Sequence, residues 1–205
     1  MKKILVMNPK GGCGKTTVAT NLASYYALWE VPVALIDYDR QRSSLDWVDN
    51  RVAELGPISG VDGSHGRVSV DKGVQRVLMD APAASNQAQV RRLFGLADVV
   101  LIPVLPSPID IRAAGHFIGD LTDEGLLKNK RVGLVGNRVK ENTLIFNNLK
   151  SFLRRMDIPL VTSLRDTQNY IRAAEGGYGI FELPPYIVEK DIEQWRKLIN
   201  WVEAK

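Results

Sequence analysis

The alternation of short apolar runs with helical stretches predicts an α/β fold: a doubly wound, mostly parallel sheet flanked by helices. Three observations carry that expectation. Runs rich in Val, Ile and Leu recur at 4–7, 33–36, 77–79, 99–103 and 132–135, each short and apolar throughout, as strands covered on both faces are. Helix-length stretches separate them, which favours parallel strands joined by crossovers. The first strand also empties into a glycine-rich loop that opens directly onto a helical pattern, a context that presents backbone N–H groups to an anion.

Taken in order, strand 4–7 is followed by the loop and a helix over 15–29, then strand 33–36 and a helix over 45–55. Residues 56–73 are glycine-rich and weakly periodic, and read as one short strand flanked by surface loops. Strand 77–79 leads to a helix over 87–96, and strand 99–103 to a helix over 109–121. Ser107 and Pro108 start that second helix, because the proline ring suits the first helical position. After strand 132–135 come helices over 143–156, from Asp166 as N-cap to 175 with Gly176 and Gly177 as the stop, and from 189 to the end. No linker or repeat interrupts the series, so residues 1–205 are expected to form one domain.

Composition narrows the classes. Hydrophobic residues make up 45% of 205 residues and charged ones 24%, which suits a globular core and argues against disorder. The single cysteine, Cys13, excludes an internal disulfide, a zinc ribbon and a cluster site built by one chain, and suggests a reducing compartment. The N-terminus lacks a signal-peptide core, and no segment reaches the roughly 18 apolar residues of a membrane span. A cytoplasmic protein is the expectation. Net charge is only +4, yet 128–172 holds ten basic against three acidic residues. Such a stretch suits a polyanion, although it would equally serve as a solvated helix face.

The loop reads Asn8, Pro9, Lys10, Gly11, Gly12, Cys13, Gly14, Lys15, Thr16, Thr17. Glycines let the amides of 11–14 converge on phosphate oxygens, Lys15 supplies a cation to the outer phosphates, and the Thr16 hydroxyl suits Mg²⁺, with Thr17 beside it. Cys13 contributes its amide, with no base nearby in sequence to activate its thiol. Two strand ends bring carboxylates to the same edge of such a sheet: Asp37 and Asp39 after 33–36, and Asp80 after 77–79. Asp80 is placed to hold Mg²⁺, while Asp39 could instead cap a helix.

Lysine, two glycines, any residue, then Gly-Lys-Thr, with Pro9 where a general phosphate loop has glycine, is the deviant Walker A loop, and the chain resembles the ParA/MinD family of P-loop ATPases of the SIMIBI type. The resemblance implies that Lys10 reaches the nucleotide of a second subunit, giving an ATP-sandwiched homodimer. It also implies that Asp39 orients the attacking water, that Asp37 supports the Mg²⁺ shell and that Asn137, with Arg138 and the loop at Leu183 and Pro184, holds the adenine. Arg40 departs from the family's Asp-x-Asp-Pro-Gln pattern, which leaves the hydrolysis rate open. The segment 102–110 resembles the family as well. Short members without an N-terminal extension, which this chain resembles, bind nonspecific double-stranded DNA on the nucleoid and position a plasmid or carboxysome, with hydrolysis stimulated by a small ParB-like or McdB-like adaptor. Lys140, Lys150, Arg154, Arg155, Arg165 and Arg172 are the candidate DNA contacts.

Two rivals remain. A membrane switch of the MinD kind would end in a basic amphipathic helix, and Ile192, Trp195, Leu198, Ile199 and Val202 do form a stripe, but its opposite face mixes both charges. A metabolic ligase would need a substrate site, which His65 and His116 in unrelated contexts do not make. An iron–sulfur reductase lacks its cysteines.

Overall fold

In the computed structural model, residues 1–66, 68–140, 143–153 and 158–204 are described. Seven strands form one sheet: β1 (Lys2–Val6), β2 (Val33–Asp37), β3 (Ser59–Asp62), β4 (Arg76–Asp80), β5 (Val99–Val104), β6 (Arg131–Val139) and β7 (Leu160–Arg165), in the order β3-β2-β4-β1-β5-β6-β7. Every pairing is parallel. The helices are α1 (Lys15–Leu28), α2 (Ser43–Asp49), α3 (Gln87–Leu96), α4 (Pro108–Asp123), α5 (Leu144–Leu153), α6 (Asn169–Glu175) and α7 (Pro185–Glu203), with a 3₁₀ turn at Ile180–Glu182 before the last.

Period-two alternation sends β1 side chains into both cores. Leu5 and Met7 join the cluster with Phe94, Phe117 and Ile118 of α3 and α4, whereas Ile4 and Val6 join the cluster with Leu22 of α1 and Trp195 of α7. This is why the runs read as continuously apolar. β1 lies at the middle of the sheet between β4 and β5, where successive crossovers change direction, so its carboxyl end is the switch point of the fold.

Five details differ from the sequence expectation. β7 was not anticipated, because Leu160–Arg165 alternates partly and fully buried positions at a sheet edge and has no apolar run. β6 continues to Val139, which puts Asn137 and Arg138 inside the strand rather than after it. An extra residue bulges there, since Gly136 faces Ser163 and Val139 faces Arg165. α6 starts at Asn169 with Gln168 rather than Asp166 as its N-cap, and α2 stops at Asp49. The last helix starts early, with Pro185 at its first turn.

The apolar stripe of α7 is core: Trp195, Leu198 and Val202 are buried against the sheet, and Ile192 packs on the same cluster. Its end is clasped by charge. Glu203 accepts from Tyr26 Oη (2.6 Å), Arg76 Nε (2.9 Å) and Nη2 (2.8 Å) and Lys2 Nζ (3.2 Å). Among the described residues no helix is long and apolar enough to cross a membrane.

Candidate nucleotide site

At the carboxyl end of β1 the chain leaves the sheet under two restraints. Met7 N donates to Leu101 O (3.0 Å), and the buried Asn8 amide donates to Pro103 O (2.6 Å) while its Oδ1 accepts from Lys10 N (2.9 Å). Asn8 thus anchors the loop to β5, a role its place in the motif does not reveal. Gly12 (φ 74°) and Gly14 (φ 98°) take left-handed conformations that side chains disfavour. At Gly14 a Cβ would also lie 1.9 Å from Asn137 Nδ2. Gly14 is the N-cap of α1, with no side chain satisfying the helix's first amides and no acid in its first turn. Those donors are open to an anion, and the macrodipole favours one there.

Lys15 stands in that first turn, 8% exposed, its Nζ donating to Lys10 O at 3.3 Å. Its ammonium faces a neutral carbonyl, with no carboxylate in ion-pair contact among the described residues, so burial leaves it short of counter-charge. Thr16 Oγ1 donates to Asp80 Oδ2 (2.8 Å), so β4 and α1 deliver two of the three expected metal-holding groups to one point. Asp80 Oδ1 is buried with no partner. Burial first, with a contribution from nearby Asp37, pushes the Asp80 carboxyl up to about 7 against the opposing Thr16 hydrogen bond and Lys15 charge.

Asp37 is occupied within the fold. Oδ1 accepts from Asp39 N (2.8 Å), and Oδ2 accepts from Ser44 N (2.9 Å), Ser44 Oγ (2.7 Å) and Leu45 N (3.3 Å). It therefore fastens the start of α2 to the end of β2, a job that the N-cap residue Arg42, left-handed at φ 56° and without a side-chain cap bond, does not perform. The capping role considered for Asp39 falls to Asp37. Asp39 Oδ1 accepts only from Gln41 N (3.0 Å), and the residue remains partly exposed on the loop beside Asp80, whose carbonyl accepts from Tyr38 N (2.9 Å).

Asn137 is buried beneath the phosphate loop and donates to Cys13 O (2.9 Å). The β6 bulge aims it there: with one residue fewer the pleat would turn it to the other face. Arg138, the exposed residue of that bulge, is left-handed at φ 50°. Leu183 and Pro184 link the 3₁₀ turn to α7, and the turn is tied to α1 by Ile180 N donating to Asn21 Oδ1 (2.6 Å). Burial raises the Cys13 thiol above its ordinary value, so its sulfur is inert while its carbonyl is used.

Among the described residues, the basic side chains of the stretch are spread over the fold rather than gathered in one patch. Lys130 Nζ donates to Ala97 O (2.6 Å) and Arg131 to Ala204 O (2.6 Å) at the start of β6, the end of the sheet opposite Lys140. Arg165, a candidate DNA contact, pairs with buried Asp191 (2.5 and 2.9 Å), which Asn169 also contacts (3.0 Å), so its guanidinium is engaged within the fold. Lys140 stays 75% exposed beside Asp166 (3.7 Å), and Arg172 is exposed on α6. The side chain of Lys150, and Arg154 and Arg155, lie outside the described residues. His65 and His116 are both exposed, His116 on the rim of a cavity of about 400 Å³ between α3 and α4 that touches the loop only at Met7 and Pro9.

A family model described as the CobQ/CobB/MinD/ParA nucleotide binding domain matches residues 4–179. A maintenance of carboxysome distribution protein A from Halothiobacillus neapolitanus is 29% identical over 189 residues, covering 88% of this chain and 87% of the relative. A protein ParA from Rhizobium radiobacter is 32% identical, covering 60% and 58%. Among solved structures, a Borrelia burgdorferi plasmid partition protein bound to AMPPNP superposes with a TM-score of 0.75 at 15% identity, covering 97% of this chain and 98% of that one.

Proposed function

From the premise that the chain belongs to the CobQ/CobB/MinD/ParA nucleotide-binding family, we propose that it is a single-domain ATPase switch, dimeric with ATP, that rides nonspecific nucleoid DNA in the cytoplasm and positions a cargo. A small ParB-like or McdB-like adaptor would stimulate its hydrolysis. The observation that carries the reading is the uncapped start of α1 with a buried Lys15 that has only a neutral partner, a cradle shaped for phosphate. The cargo-positioning part is supported by likeness along most of the chain to a relative named for carboxysome distribution.

In this reading the amides of Gly11, Gly12, Cys13 and Gly14 and of Thr16 and Thr17 hold phosphate oxygens, and Lys15 supplies charge to the outer phosphates. The orphaned Asp80 Oδ1 and the Thr16 hydroxyl beside Asp80 Oδ2 fit Mg²⁺, and Asp37 supports them from the next strand. Among the described residues no group of three His, Cys, Asp or Glu side chains could hold a metal, which suits an ion that takes most of its ligands from phosphate and water. When bound, Mg²⁺ would neutralise phosphate charge. Asp39, with a single backbone donor, is free to orient the water that attacks the terminal phosphorus as the bond to the ADP oxygen breaks. Asn137, Arg138, Leu183 and Pro184 would receive the base. Lys10 is partly exposed and no hydrogen bond or ion pair holds its ammonium among the described residues, which leaves it able to reach a second subunit's nucleotide.

The test is equilibrium binding of a fluorescent ATP analogue. Wild type should bind, and Lys15→Ala should lose at least about 100-fold in affinity, as expected when the charge partner of a triphosphate is removed from a buried site. Equal binding by the two proteins would sink the cradle.

A further inference from the structure

The segment that precedes the proposed base loop is held by a buried charge pair, Arg51 and Glu182. Arg51, just past α2, spreads its guanidinium over four acceptors: Glu182 Oε1 (2.8 Å) and Oε2 (3.1 Å), Gly177 O (3.0 Å) and Gly56 O (3.1 Å). Its Cζ lies 4.9 Å from the centre of the Trp47 ring. The side chains of Arg51 and Glu182 are only 6% and 2% exposed. Glu182 Oε2 also accepts from Gly179 N (2.6 Å), and Trp47 Nε1 donates to Tyr178 O (3.2 Å). Residues 177–182 are thus stitched to the far end of α2, the helix whose near end is fastened by Asp37. Gly177, left-handed at φ 70°, lets the two backbones meet: a Cβ there would lie 2.5 Å from Asn50 O. On its other side the segment is tied to α1 through Ile180 N and Asn21 Oδ1, and Asn21 Nδ2 donates to Thr17 O (2.8 Å).

Burying such a pair is costly, and an apolar pair of equal volume often serves stability as well. An apolar pair could not also satisfy the Gly177 and Gly56 carbonyls. The guanidinium fork does both, at a fixed angle. We infer that Arg51 and Glu182 are positioning residues that set the place of the base-side loop at Leu183 and Pro184 by hanging it on α2. Base binding and the Asp39 loop then share one rigid support. This rests on the nucleotide reading above. The pair touches no phosphate group in that reading, so its loss weakens what the base contributes and leaves the phosphate cradle intact.

Two ligands separate these effects: ATP, and inorganic tripolyphosphate, which has no base. The variants are Arg51→Lys, which keeps the charge but loses the fork, and Glu182→Gln, which keeps the volume but loses the charge. Both are measured beside wild type with circular dichroism to confirm folding. In the variants KM for ATP should rise about tenfold with kcat nearly unchanged, the signature of lost uniform binding, while the affinity for tripolyphosphate stays at the wild-type value. A parallel loss for both ligands, unchanged KM for ATP, or failure of both variants to fold would overturn the positioning role and leave a purely structural pair. Failure of wild type itself to bind ATP would instead sink the nucleotide reading.

Discussion

Asp80 holds one carboxylate oxygen on the Thr16 hydroxyl and leaves the other buried without a donor. In the unliganded protein that arrangement is destabilising. An acid raised by burial from 3.8 to about 7 binds more protons folded than unfolded across that window, so its contribution to stability falls as pH rises through it. Asp80→Asn removes the buried charge and should stabilise the unliganded protein near neutral pH, by on the order of 2 kcal/mol, with the advantage fading as pH falls from about 7 and gone below about 4. Calorimetry with and without MgATP checks the converse: wild type should gain more from the ligand than the variant does. A wild type already the more stable without ligand would show that the orphaned oxygen costs nothing. Asn8 and Asn137 work by the opposite logic, each using its amide to fix the loop's backbone before any ligand arrives.

At the scale of an element, α7 shows how one apolar stripe and one carboxylate dock a helix. Trp195, with no exposed surface, fills the core under the sheet, and Trp195 Nε1 donates to Tyr170 Oη (3.0 Å) so that no polar atom is stranded. Glu203 then closes the helix end on Tyr26, Arg76 and Lys2. Burial alone would raise its carboxyl, but the hydrogen bonds and charges of those three groups outweigh it and hold it down to about 2 from the usual 4.5. A depressed acid contributes stability that is complete above about 4.5 and is lost as pH falls toward 2. Glu203→Gln should therefore lower the melting temperature by about 5 °C near neutral pH, equivalent to about 2 kcal/mol for a partly exposed clasp. The gap to wild type should close in acid. A pH-independent gap would assign the loss to packing.

For the whole molecule, the proposed switch would depend on Lys10, whose ammonium no hydrogen bond or ion pair holds among the described residues. Lys10→Ala should stay monomeric with ATP by light scattering while still binding it, and a stable dimer would refute a shared-lysine interface. DNA retention should require ATP and weaken with salt, because counterion release scales with phosphate contacts. Lys140→Ala and Arg172→Ala should each weaken retention of every sequence alike and lower the salt slope by about one, whereas Arg165 substitutions should act through stability, since that side chain serves Asp191. Unchanged slopes in both variants would move the DNA surface elsewhere.

The phosphate loop, the two strand-end carboxylates and the doubly wound order were legible in the residues because each depends on neighbours in sequence: glycines before a helix, acids after an apolar run, strands alternating with helices. β7 was not legible, because an edge strand needs no continuous apolar stretch. Nor was the division of labour between Asp37 and Asp39, or the burial of Asn137 under Gly14, which is set by a bulge in β6 rather than by composition. The basic stretch was visible as a count of charges, yet which of them face solvent was decided by partners far along the chain, such as Ala97 for Lys130 and Asp191 for Arg165. Local chemistry writes a cradle into a sequence, whereas the partner of a long side chain is chosen only when distant segments pack.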